Sequence, residues 1–74
     1  MNPYRNAESG VTGYKYSDRW IHIRFANGAT HAYTLESIGA AHLATLKKLA
    51  DSGDGLNTYI NKHPRVRDGS TRIK

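Results

Sequence analysis

Trp20-Ile-His-Ile-Arg-Phe-Ala-Asn-Gly-Ala-Thr-His-Ala-Tyr33 is the stretch on which the fold turns. Ile21, Ile23 and Phe25 alternate with His22 and Arg24, the period-two pattern of a strand with one buried face. Asn27-Gly28 follows, and this pair adopts positive φ at little cost, the strongest short-range hairpin signal. Residues 29–33 then return as the partner strand. Two registers are open. A two-residue loop would place Thr30, Ala32 and Thr34 on the isoleucine face and send His31 and Tyr33 to the other. A three-residue loop with Gly28 as a bulge opposes Ile23 to His31 and Ile21 to Tyr33, because a one-residue slip exchanges the faces. The bulged register is preferred, since Tyr33 fills a small core better than two threonines and an alanine. His22 and His31 would share a face only in the other register.

Outward from the hairpin, residues 11–16 read as a preceding strand, with Thr12, Tyr14 and Tyr16 on one face and Val11, Gly13 and Lys15 on the other. Ser17-Asp18-Arg19 is turn material. After the sheet the apolar period lengthens. Thr34 or Ser37 can cap a helix over residues 38–52, whose stripe is Ile38, His42, Leu46, Leu49 and Ala50, broadened by Leu43. His42 on that stripe reads as a hydrogen-bonded, partly buried histidine. Gly53 stops the helix in the left-handed conformation. Asp54 can cap a short helix over residues 55–62 that buries Leu56 and Ile60 with Tyr59 at its edge, and Pro64 ends it. Residues 1–8 are expected to be a flexible arm and residues 65–74 a mobile basic tail, because neither carries a period.

Seventy-four residues make one small domain with a thin core. There is no cysteine, so neither disulfides nor thiolate metal sites arise. No apolar run approaches the roughly 20 residues that span a bilayer, and no charged-then-apolar leader opens the chain; a soluble cytoplasmic protein is the expectation. The net charge of +5 is uneven: residues 1–36 carry +1 and residues 37–74 carry +4. An excess of this kind is the electrostatic footprint of a polyanion partner.

Residues 9–64 resemble the KTSC domain, a small module found as a single-domain bacterial or phage protein and at the C-terminus of some lysyl-tRNA synthetases. The resemblance rests on Gly13-Tyr14 in the first strand, Ile21-x-Ile23-x-Phe25 in the second, the turn glycine Gly28, and Gly53-x-x-x-Asn57-x-x-Ile60 followed by a basic residue and Pro64. The chain departs from the family at His31-Ala32-Tyr33, where a Tyr-x-Tyr is usual, and at Leu56, where an aromatic residue is usual. The resemblance implies a β-meander followed by helices, with RNA contact as the role suggested for such modules.

Candidate chemistry is sparse. The four histidines, His22, His31, His42 and His63, lie on different elements without metal-ligand spacing, so no metal site or cofactor is expected. The serines sit in turns and caps, and the six carboxylates are scattered, so no catalytic residues are assigned. Gly53-Asp54-Gly55 reads as a C-cap plus an N-cap rather than a phosphate loop. What remains is a basic track, Lys62, Arg65 and Arg67 with Arg72 and Lys74 beyond, together with Trp20, His22 and Arg24 opposite the isoleucine face. Aromatic platforms beside cations are the ingredients of single-stranded RNA binding. The expectation is therefore an α+β domain, a three-stranded antiparallel meander followed by one long and one short helix packed on one face. It is read as a non-enzymatic accessory module contacting RNA or single-stranded nucleic acid through Trp20, His22, Arg24, Lys62, Arg65 and Arg67. The alternative is a protein-interaction module that binds itself or another protein, for which Trp and Arg are typical anchors. No membrane role is expected.

Overall fold

Hydrogen bonds around Asn27-Gly28 set the register of the whole sheet. In the computed structural model, which describes residues 2–5 and 10–73, the Phe25 N–H donates to the Ala29 carbonyl at 2.8 Å and the Gly28 N–H to the Phe25 carbonyl at 3.0 Å. Gly28 has φ 89°, and the Asn27 side-chain oxygen accepts from the Ala29 N–H at 3.0 Å. The loop therefore has three residues, Ile21 pairs with Tyr33 and Ile23 with His31, and Tyr33 is buried. This is the bulged register.

Among the described residues the sheet has five strands: β1 (Asn2–Pro3), β2 (Val11–Ser17), β3 (Trp20–Phe25), β4 (Thr30–Thr34) and β5 (Thr71–Arg72). They lie in sequence order and every neighbouring pair is antiparallel. Four helices, α1 (Leu35–Ile38), α2 (Ala40–Ser52), α3 (Leu56–Lys62) and α4 (Pro64–Asp68), sit between β4 and β5 in the chain. The α+β class and the antiparallel sheet agree with the sequence reading, whereas three strands and two helices become five and four.

Each difference has a local cause. The long helix breaks at Gly39, whose φ of 86° and ψ of 161° are not helical. Thr34 caps α1 with a reciprocal box, its hydroxyl accepting from the Ser37 N–H while the Ser37 hydroxyl accepts from the Thr34 N–H. Gly53 closes α2 in the left-handed conformation, as its position predicts, and Gly55 rather than Asp54 is the N-cap of α3. Pro64 does not only end α3; it opens α4 at the first helical position, where its missing N–H costs nothing.

The tail assignment for residues 65–74 is corrected by the same segment. Val66 is fully buried, α4 carries Arg65 and Arg67, and Thr71–Arg72 pairs with β4. Lys74 lies outside the described residues. Nor do the described residues of the expected arm at 1–8 hang free: Asn2–Pro3 pairs with β2, and Tyr4 is buried with its hydroxyl accepting the Leu56 N–H at 3.1 Å. Met1 and residues 6–8 of that arm lie outside the description.

One core results. Val11, Tyr14, Ile21, Ile23 and Tyr33 from the sheet pack with Ile38, Leu43, Leu46, Ala50, Leu56, Ile60 and Val66 from the four helices. Val11 joins Tyr14 on this side, against simple alternation, because a register shift between Val11 and Gly13 re-aims it. Tyr14 and Tyr16 donate to the two carboxylate oxygens of Asp51 at 3.1 and 2.7 Å, which ties β2 to α2. All helices thus lie on one face of the sheet. No described helix is long and apolar enough to cross a membrane.

Candidate nucleic-acid interface

Alternation along β3 sends Trp20, His22 and Arg24 away from the core that Ile21 and Ile23 enter. Their cross-strand neighbours are small apart from Lys15: Ser17 and Thr34 flank Trp20, Ala32 lies beside His22, and Gly13 and Thr30 flank Arg24. The rings of Trp20 and His22, both half-buried, lean on each other, with centroids 4.3 Å apart and planes 33° off parallel. Lys15 pairs with His22 from β2 and is exposed, as is Arg24. Thr30, across from Arg24, is buried near the β5 edge, so the accessible area centres on β2 and β3.

No aspartate or glutamate lies on any of the described strands. The face is therefore an aromatic pair with two cations on the His22 side, Lys15 across from it and Arg24 next along β3, unopposed by acid on the described strands. Burial, then the charge of Lys15, lowers the His22 pKa from its usual 6.5. A neutral imidazole leaning on an indole is a surface on which a planar ring can stack, with Lys15 and Arg24 placed for phosphate oxygens.

Of the six residues expected to act together, the structure joins three and separates three. Lys62 lies in the last turn of α3, Arg65 and Arg67 on α4, all exposed on the helical layer. That layer covers the opposite face from Trp20, so the basic track and the aromatic face lie on different sides of the sheet. The Nε of Arg67 lies 3.6 Å from Asp68, a solvent-exposed pair that contributes little to stability. Lys15 is the residue that sequence reasoning passed over. Its signal was present, since it falls on the same side of its strand as Gly13, opposite the tyrosines.

Two further clusters stand on the helical side. The Tyr59 hydroxyl lies 2.6 Å from His42 Nδ1, and its ring stacks on His63 at 4.0 Å. His63 Nδ1 in turn bonds the Tyr59 carbonyl at 2.8 Å, so the group docks α2 against α3. Among the described residues no three histidine, cysteine or carboxylate side chains gather as metal ligands. At the end of the sheet, a groove of about 440 Å³ opens between the β3–β4 hairpin and α3–α4. There His31 Nδ1 lies 3.1 Å from the Ser70 hydroxyl, which donates to the Arg67 carbonyl at 3.0 Å. Burial pushes the Tyr33 hydroxyl up to about 12, offset in part by a hydrogen bond with Ser70.

Comparison with protein-family models, with curated proteins and with solved structures gave no match.

Proposed function

We propose that this chain is a non-enzymatic, KTSC-like accessory module that holds RNA or another single-stranded nucleic acid on the sheet face opposite its helices. The observation that carries the reading is the Trp20–His22 ring pair with Lys15 and Arg24 beside His22 on acid-free strands. A base stacks on Trp20, with its backbone phosphates reached by Lys15 and Arg24. Stacking is tolerant of base identity, so little sequence preference is expected. Lys62, Arg65 and Arg67 act at longer range, adding to the positive field that draws a polyanion in.

The chain has a single tryptophan, so its fluorescence reports on this face alone. Addition of a single-stranded oligouridylate at low salt is expected to quench Trp20, with the quench reversed as salt is raised. Trp20→Ala is expected to cost about 1–3 kcal/mol of binding free energy. An unchanged fluorescence together with a mass that grows with protein concentration would replace this reading with self-association through the same face.

A further inference from the structure

We infer that the groove between the β3–β4 hairpin and α3–α4 is a second site, built for one nucleotide-sized ligand with a planar ring and an anionic group. Its observations are independent of the open sheet face. The volume of about 440 Å³ falls within the range of small-ligand pockets. Phe25 and Ile60 supply an apolar lining, and His31 stands edge-on to Phe25 at 5.4 Å, so a flat ring has a wall to lie against. Asn57 and Asn61 line the same groove one helical turn apart on α3. Their amides lie 3.5 Å from each other, a weak contact, and each carries both donors and an acceptor.

Paired amides of this kind match the mixed donor–acceptor edge of a heterocycle, which a purely cationic site would not. Arg67 is the one charged residue among the described groups lining the groove. Its side chain is exposed and its one ion pair among the described residues, with Asp68, is long at 3.6 Å, so it is available to a phosphate or carboxylate. Ring, edge and anion are together the chemistry of a nucleoside monophosphate. This assignment also gives Arg67 a role that the open face cannot give it.

The test is an amide-resolved NMR titration of the full chain with adenosine monophosphate, adenosine and inorganic phosphate in parallel. Adenosine monophosphate is expected to shift residues of the groove, Asn57, Asn61 and Arg67 among them, and to leave Lys15, Trp20 and His22 in place. Arg67→Ala is expected to weaken adenosine monophosphate about ten-fold while leaving adenosine unchanged, and Asn61→Ala to weaken both. Both side chains are exposed, and the dispersion of the same spectra verifies that the variants fold. Trp20→Ala is expected to leave nucleotide binding intact, which separates this site from the sheet face. Absence of groove shifts at millimolar nucleotide would overturn the inference, as would inorganic phosphate reproducing every shift.

Discussion

His22 sits where three influences meet: the indole of Trp20 beside it, the ammonium of Lys15 across the strand and a partly dry surface beneath. Burial and Lys15 both favour the neutral ring, so the folded pKa lies below the unfolded 6.5 and the unfolded chain binds the proton more readily. Stability therefore falls as pH drops through 6.5 toward the folded value. Thermal melts at pH 7.5 and pH 5.5 should show His22→Gln losing less stability on acidification than the parent chain; an equal loss would mean His22 is not held neutral. At the alkaline end, Tyr33 behaves in the opposite sense. Its pKa is raised from 10.0 to about 12, so the stability it contributes is complete below pH 10 and is lost as pH rises to about 12. Ile23, fully buried opposite His31, gives the simplest packing test. Ile23→Ala should destabilise by about 2–5 kcal/mol in denaturant unfolding, and a loss within about 0.5 kcal/mol would contradict the face assignment.

At the scale of elements, α4 and β5 are the pieces that complete the domain. Fully burying a valine is worth about 1.5–3 kcal/mol, so a chain ending at Pro64, which lacks Val66, should unfold at least that much more easily than the full chain. Equal stability of the two would make residues 65–74 a tail after all. This is also where the sequence was least legible. Val66 stands alone between Arg65 and Arg67, and one apolar residue has no period to betray a helix. The two-residue strands β1 and β5 are too short to alternate visibly. By contrast the β3–β4 hairpin was legible down to its register, because turn chemistry and the bulk of Tyr33 pointed to the same pairing. Three of the four residues of the candidate face came with it, since Trp20, His22 and Arg24 follow from alternation once Ile21 and Ile23 are core. The groove did not, because His31, Asn57, Asn61 and Arg67 belong to three elements, and only folding brings them together.

For the whole molecule, the layering divides the positive charge. The sheet face offers Lys15 and Arg24 beside its rings, and the helical layer displays Lys62, Arg65 and Arg67. If single-stranded nucleic acid lies on the sheet, each phosphate contact contributes about −0.7 to the slope of log affinity against log salt. Replacing Lys15 or Arg24 with alanine should flatten that slope by about one contact, and Arg65→Ala should weaken binding only slightly without flattening it. The most direct measurement is an amide-resolved NMR titration of the full chain with a short single-stranded RNA at low and moderate salt. Shifts centred on Lys15, Trp20, His22 and Arg24 are expected and should persist at moderate salt. Shifts confined to α3 and α4 and abolished by salt would rule out binding on the sheet face, leaving only non-specific attraction to a basic surface.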